Sequence, residues 1–84
     1  MNKSIEIFVE RTDANSDEYI LTEFLVNNGV LVNKGDIIAE VETTKAIIEV
    51  ESKAKGYFYG VIDDIGKKLD YFTPVSLVFP NRND

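Results

Sequence analysis

Hydrophobic and polar positions alternate along much of the chain with a period of two. In the first such stretch, Ile5, Ile7 and Val9 alternate with Glu6, Phe8 and Glu10. Because successive side chains of a β-strand point to opposite faces, this alternation predicts strands with one buried face. Together with the enrichment in β-branched and aromatic residues, it predicts strands at Ile5–Val9, Tyr19–Val26, Ile37–Glu42, Ala46–Glu51, Tyr57–Ile62 and Val75–Phe79, and a short apolar segment at Val30–Val32.

Turn-forming residues separate the predicted strands. Asn, Asp and Ser favour turns through local hydrogen bonds, and Gly through its tolerance of positive φ. No segment shows a helical period. Short strands interrupted by turns at intervals of about 8–12 residues indicate a sandwich or a flattened barrel. The turns and loops are expected at Arg11–Asp17, Asn27–Gly29, Asn33–Asp36, Ser52–Gly56 and Asp63–Lys68.

A weak internal repeat appears when the sequence is shifted by 37 positions. Gly29 then falls on Gly66, so that two predicted turns coincide. A repeat with coincident turns favours a fold with two-fold pseudo-symmetry. The other matches place Val32 on Leu69, Asp36 on Thr73, Ile38 on Val75 and Val41 on Val78.

Length and composition narrow the class of protein. The 84 residues are enough for one domain, which we expect to span 1–84. The sequence has no cysteine and no histidine, which excludes disulfides, thiolate metal sites and a Ser-His or Cys-His nucleophilic pair. The formal charge of −6 disfavours nucleic acid as a partner. No apolar run approaches the roughly 20 residues of a membrane helix. We therefore expect a small, soluble, acidic domain in a cytoplasmic or another reducing compartment.

Lys45 is the only basic residue between Lys34 and Lys53, within the segment EVETTKAIIEVE. We expect it at the exposed tip of a hairpin between two strands. Two interpretations are open on this evidence: Lys45 offsets the charge of nearby glutamates, or its amine carries a carboxylic acid cofactor as an amide. The glutamates are Glu40, Glu42, Glu49 and Glu51; they are either solvated strand residues or contacts for basic partner surfaces.

The segment Glu42–Ala46 has a family pattern. Its sequence Glu-Thr-Thr-Lys-Ala matches four of five places of the lipoyl pattern Glu-Thr/Ser-Asp-Lys-Ala, so the chain resembles the lipoyl domains of 2-oxo acid dehydrogenase acyltransferases, within the biotinyl/lipoyl attachment superfamily. The resemblance covers about Tyr19 to Phe79. Further matching positions are Gly29, Val32, Gly35, Asp36, Glu49–Glu51, Gly56 and Thr73–Val75.

The resemblance implies a fold and a role. The fold is an all-β barrel-sandwich hybrid: two antiparallel sheets, pseudo-two-fold symmetry and the modified lysine on a hairpin tip. The role is that of a monomeric carrier with no catalytic residue or metal of its own and no membrane contact. A lipoate ligase or lipoyl transferase would attach lipoate to Lys45. Its partners would be decarboxylase, acyltransferase and dihydrolipoamide dehydrogenase components. The expected recognition residues for the modifying enzyme are Glu42, Thr43, Thr44 and Ala46.

Two positions depart from the family pattern, and two alternatives stay open. Thr44 stands where aspartate is usual, and Ser16–Glu18 stands where many lipoyl domains have a Glu-Gly pair. Biotinyl carriers typically flank the lysine with methionines; Thr44 and Ala46 flank it here, which favours lipoate over biotin. The alternatives are a biotinyl carrier of a carboxylase and an unmodified interaction module of the same fold.

Overall fold

The computed structural model describes residues 4–10, 18–62 and 65–80, and these residues form eight strands and no helix. No helix in this part of the chain is long and apolar enough to cross a membrane. The predicted loop Arg11–Asp17, and Asp63 and Asp64 of the predicted Asp63–Lys68 turn, lie outside the described residues. The strands are β1 (Ile5–Ile7), β2 (Glu18–Phe24), β3 (Leu31–Val32), β4 (Ile37–Glu42), β5 (Ile47–Glu51), β6 (Gly56–Gly60), β7 (Lys68–Asp70) and β8 (Ser76–Phe79).

The strands form two four-stranded antiparallel sheets. Sheet A has the order β1-β8-β6-β3, and sheet B has the order β5-β4-β2-β7. Each strand of sheet A has a counterpart in sheet B four places away along the chain: β1 corresponds to β5, β8 to β4, β6 to β2 and β3 to β7. With these replacements, the order of sheet A becomes the order of sheet B. This two-fold relation confirms the predicted all-β sandwich and the pseudo-symmetry.

The pseudo-symmetry extends to single hydrogen bonds with the offset of 37 found in the sequence. The N–H of Gly29 donates to the carbonyl of Phe58 at 2.7 Å, and the N–H of Gly66 donates to the carbonyl of Leu21 at 3.0 Å. Both glycines have φ of 88°, a conformation that other residues rarely adopt. The pair Leu21–Val41 in sheet B likewise corresponds to Phe58–Val78 in sheet A. The two coincident turns are therefore structurally equivalent.

The inward faces of the two sheets form one hydrophobic core. Side chains from the two sheets meet in it: the rings of Phe24 in sheet B and Phe58 in sheet A lie 5.5 Å apart. The ring of Tyr19 in sheet B also lies 5.2 Å from that of Tyr71, in the turn after β7. A domain of this size depends on burying most of its apolar residues in a single core. The buried hydrophobic residues are Ile7, Val9, Tyr19, Leu21, Val32, Ile38, Ala39, Val41, Val50, Phe58, Ile62, Val75 and Val78.

β7 (Lys68–Asp70) was not predicted, and the prediction that assigned Lys68 to a turn is wrong. This strand has only three residues and one apolar side chain, so its sequence carries no recognisable period. It exists because it pairs with β2, which places Leu69 opposite Tyr19 and against the core. The strand predicted at Ala46–Glu51 begins one residue later, at Ile47, and Ala46 lies exposed in the preceding turn.

Candidate functional site

Lys45 lies at the tip of the hairpin that joins β4 to β5. The last pair of the ladder is Glu42 with Ile47, so residues 43–46 form the tip. Thr44 and Lys45 occupy its centre, and both are exposed. The flanking strands anchor the tip, because Val41 and Val50 are buried in the core. The hairpin therefore holds the Lys45 backbone at a defined position at one end of sheet B.

Thr43 organises the tip through its side chain. Its Oγ1 accepts hydrogen bonds from the N–H groups of Lys45 and Ala46, each at 3.2 Å, and donates to the Ala46 carbonyl at 3.3 Å. The Thr43 N–H also donates to that carbonyl, at 2.8 Å. Threonine hydroxyls commonly form such local bonds to the backbone in turns. The bonds close the turn without glycine, and no described non-glycine residue has positive φ.

The four predicted recognition residues surround Lys45 but differ in environment. Thr44 and Ala46 are its exposed neighbours, and Glu42 is exposed at the end of β4. Thr43 is half-buried, and its hydroxyl is engaged in the turn. The structure thus gives Thr43 a positioning role for the turn, and it brings Glu42, Thr44 and Ala46 together around the lysine as accessible side chains.

Three carboxylates form a row across the outward face of sheet B, in the second row from the hairpin. Glu23, Glu40 and Glu49 lie directly opposite one another on three neighbouring strands. Like charges in such positions repel each other. A bulge in β2 contributes one compensating bond, because Thr22 Oγ1 donates to the Glu40 carbonyl at 2.8 Å. All four glutamates near Lys45 that the sequence singled out lie in β4 or β5.

A groove at the edge of sheet B is a second surface feature. It lies between Phe8–Glu10 and β5, and an ion pair crosses it: Lys53 Nζ is 2.7 Å from Glu10 Oε1. This contact lowers the pKa of the Glu10 carboxyl and raises the pKa of the Lys53 amine. Both side chains are largely exposed, so water screens the pair and it contributes little to stability.

Metal ligands do not cluster in the described part of the chain. No group of three or more potential metal ligands comes together among residues 4–10, 18–62 and 65–80. The whole sequence lacks histidine and cysteine. The amine of Lys45, on an ordered tip, is the group that the fold presents most clearly for covalent chemistry.

Two residues near this site were not singled out by the sequence. Ile47, directly after the tip, is 64% exposed, and Phe72, at the other edge of sheet B, is 89% exposed. The internal repeat contained a signal for Phe72. With the repeat offset, Phe72 occupies the position that the turn glycine Gly35 has in the first unit, where a large aromatic residue is unexpected. Ile47 falls in an apolar run, Ala46–Ile48, whose inward and outward members only the strand register distinguishes.

Comparison with known proteins gives consistent matches. A family model described as "Biotin-requiring enzyme" (Biotin_lipoyl) matches residues 14–77, well over half of the chain. A stretch of 52 residues, 62% of the chain, is 40% identical to a pyruvate dehydrogenase E1 component subunit beta of Rhizobium meliloti. A stretch of 53 residues, 63% of the chain, is 42% identical to a dihydrolipoyllysine-residue acetyltransferase component of the pyruvate dehydrogenase complex of Zymomonas mobilis. The matches span only 11% and 12% of the two relatives' lengths.

Proposed function

This chain belongs to the biotin/lipoyl attachment domain family, and from that premise we propose that it is a lipoyl carrier with lipoate attached to Lys45. The supporting observation is the geometry of the tip. Thr43 holds the turn, and Lys45 is exposed on it between two anchored strands. Domains of this family carry a cofactor and have no catalysis of their own. In this proposal the protein supplies a rigid support for a mobile arm.

Lys45 suits the attachment chemistry because a carboxylic acid cofactor needs an accessible primary amine. The unprotonated Nζ forms a bond to the carboxyl carbon of lipoate, which ATP activates as an acyl-adenylate. The bond from that carbon to AMP breaks, and the nitrogen releases a proton. The product amide is uncharged, so the formal charge of the chain changes from −6 to −7. When bound, lipoate supplies a dithiolane that takes up acyl groups and reducing equivalents.

Two observations favour lipoate over biotin. Thr44 and Ala46 flank the lysine, whereas the resemblance associates biotin with flanking methionines. One relative is named for a dihydrolipoyllysine residue. The family description itself names biotin, so biotin is the second candidate for the same amine.

The partners proposed for the loaded domain follow from the two relatives, which are components of pyruvate dehydrogenase complexes. We propose that residues 1–84 act as one domain. It would visit a decarboxylase, an acyltransferase and dihydrolipoamide dehydrogenase of a 2-oxo acid dehydrogenase complex. A tether raises the effective concentration of the arm at each of these active sites. A lipoate ligase or lipoyl transferase would load it.

Intact mass spectrometry tests the attachment. The purified domain is incubated with ATP and lipoate plus a lipoate ligase, and in parallel with ATP and biotin plus a biotin protein ligase. We expect a mass increase of one lipoyl group in the first reaction and no change in the second. The matched control Lys45→Arg keeps the charge but removes the acylatable amine, so it should gain nothing and unfold at the same temperature.

Each other outcome has a defined meaning. A biotin adduct on Lys45 would replace lipoate by biotin as the cofactor. A lipoyl group on Lys45→Arg would place the attachment site at another lysine. No adduct with either ligase would remove both carrier proposals and leave the unmodified interaction module.

A further inference from the structure

The two most exposed large hydrophobic side chains of the described residues lie near the candidate site. Phe72 is 89% exposed and Ile47 is 64% exposed, whereas Ile65, the next, is 50% exposed. Single exposed apolar side chains are common on protein surfaces. These two share one end of one sheet, and the Lys45 hairpin lies at the same end.

The strand register fixes this arrangement. Glu42 pairs with Ile47 on one side and with Ile20 on the other, and Ile20 pairs with Lys68. Ile47 and Lys68 are therefore level with each other on opposite edge strands, three strand spacings or about 14 Å apart. From this row the chain continues past Glu42 to the tip and past Lys68 to Phe72. Lys45 and Phe72 thus lie beyond the same end of sheet B.

The turn that carries Phe72 is well ordered by hydrogen bonds. Asp70 Oδ1 accepts from the N–H groups of Phe72 and Thr73, at 3.0 and 3.1 Å, and from Thr73 Oγ1 at 3.1 Å. The equivalent residue of the first unit, Gly35, has φ of 94°, whereas φ of Phe72 is not positive. A held backbone presents the ring at a low cost in conformational entropy. The fold itself gains nothing from the exposed ring.

We propose that Ile47 and Phe72 are docking contacts for the enzyme that attaches the cofactor to Lys45. This inference rests on the proposed function. The lysine side chain reaches only about 6 Å beyond its Cα, so an enzyme acting on Nζ must touch the end of the hairpin. A typical interface covers about 800 Å² on each partner, a patch roughly 30 Å across, which is wide enough to include both residues. A partner that acts on the far end of the long cofactor arm does not need to touch the end of the hairpin.

The charges at this end define the surface that the enzyme presents. Glu42 is exposed beside Ile47, and Glu18 lies opposite Asp70 just before the Phe72 turn. A complementary surface has apolar pockets for the two hydrophobic side chains and a basic rim around them. Such a rim accelerates association, and the apolar contacts slow dissociation.

Steady-state kinetics of lipoylation by a purified lipoate ligase test this inference, with the domain as the varied substrate and the product measured by intact mass. Phe72→Ala should lower kcat/KM roughly 10-fold, and Ile47→Thr roughly 3-fold, mainly through KM. Leu31→Thr is the matched control. Leu31 is 49% exposed in edge strand β3 of sheet A, just before the turn leading into β4 at the end opposite the hairpin. Its kcat/KM should stay within about twofold of the wild type.

The outcomes separate this inference from the function beneath it. Failure to lipoylate the wild type removes both. Normal lipoylation with unchanged kcat/KM in Phe72→Ala and Ile47→Thr overturns the docking contacts alone. An equal loss of kcat/KM in Leu31→Thr also overturns them, because the loss would then not depend on whether the changed residue lies near the hairpin. Added salt should raise the KM of the wild type. The ratio of kcat/KM between the wild type and Phe72→Ala should stay unchanged, because only the rim contacts are electrostatic. A wild-type dimer that Phe72→Ala dissociates without a rate change assigns Phe72 to self-association instead.

Discussion

The two sheets share one topology, yet their outward faces differ. Sheet A turns mainly aromatic and aliphatic side chains toward solvent. Sheet B turns mainly carboxylates, apart from Ile20, Ile47 and Lys68 in the row nearest the hairpin. The outward strand residues of sheet A are Glu6, Leu31, Tyr57, Tyr59, Leu77 and Phe79. The acidic ones of sheet B are Glu18, Glu23, Glu40, Glu42, Glu49, Glu51 and Asp70. Pseudo-symmetry therefore holds for the backbone and not for the surface.

The difference shows which positions packing constrains. Both inward faces must be apolar, because they bury each other in one core. The outward faces are under no such demand and can diverge. The hairpin also has no symmetry counterpart among the described residues. The chain runs directly from β4 to β5, whereas the equivalent strands, β8 and β1, are the last and first described strands. The candidate site thus lies on the acidic sheet at the one connection that the symmetry does not repeat.

Truncating the core should have the largest effect and should affect both sheets. Phe58 and Leu21 are equivalent positions, and both are fully buried. We expect Phe58→Ala to lower the free energy of unfolding by about 3–5 kcal/mol and Leu21→Ala by about 2–5 kcal/mol, through lost transfer energy and cavities. Urea unfolding measures both, with the exposed Leu31→Thr as the control. A loss below about 1 kcal/mol at either position would refute their equivalence in packing.

The two equivalent turns should respond differently to alanine. Gly35→Ala should lower the free energy of unfolding by about 1–2 kcal/mol, because φ of 94° strains a residue that has a Cβ. No atom beyond the adjacent residues lies within 4 Å of the position that this Cβ would take, so the cost comes from the backbone conformation and not from a clash with the surrounding structure. Phe72→Ala, at the equivalent position, should change it by less than about 0.5 kcal/mol. Equal effects in urea unfolding would contradict this difference between the turns.

A third comparison concerns Tyr19 of sheet B, whose equivalent in sheet A is Gly56. Burial, followed by the charge of Asp70 and the proximity of Tyr71, raises the pKa of Tyr19 to about 12 from 10.0. The unfolded chain loses the Tyr19 proton first, so the wild-type free energy of unfolding should fall as the pH rises from about 10 to about 12.

Tyr19→Phe tests this effect directly. The Tyr19 hydroxyl has no hydrogen-bond partner in the described part of the chain, so the variant should match or exceed the wild type at pH 7. It should also lack the part of the alkaline decrease that Tyr19 causes. Urea unfolding at pH 8 and pH 11 measures this, and Tyr57→Phe, which leaves Tyr19 intact, should retain the part of the decrease that Tyr19 causes. An unchanged decrease in Tyr19→Phe would assign it to other groups.

The smallest expected effect separates the two outward faces. Glu40→Gln removes the central charge of the row with Glu23 and Glu49, so it should raise the free energy of unfolding by about 0.2–1 kcal/mol at low salt. Glu6→Gln in sheet A, whose cross-strand neighbour is Leu77, should not. The gain should disappear toward 1 M salt, where screening acts within about 3 Å. A gain that persists in high salt would show that charge repulsion is not its source.

Most of the fold and the centre of the candidate site could be predicted from local sequence. Alternation identified β4 and β5, and the 37-residue offset anticipated the equivalence of the Gly29 and Gly66 turns. β7 could not be predicted, because its three residues become a strand only by pairing with β2. The exposure of Ile47 could not be predicted either, because a one-residue change of register reverses the faces of a strand.

The strand pattern, the repeat and the isolated position of Lys45 follow from the amino-acid sequence alone, because they depend on side-chain type and spacing along the chain. The departure from the family pattern at Thr44 was also visible in the sequence. Three features are visible only in the folded protein: carboxylates gather on one sheet, Thr43 closes the tip, and Phe72 lies at the same end as Lys45. These facts depend on register and pairing between distant segments, which cooperative packing of the whole core selects.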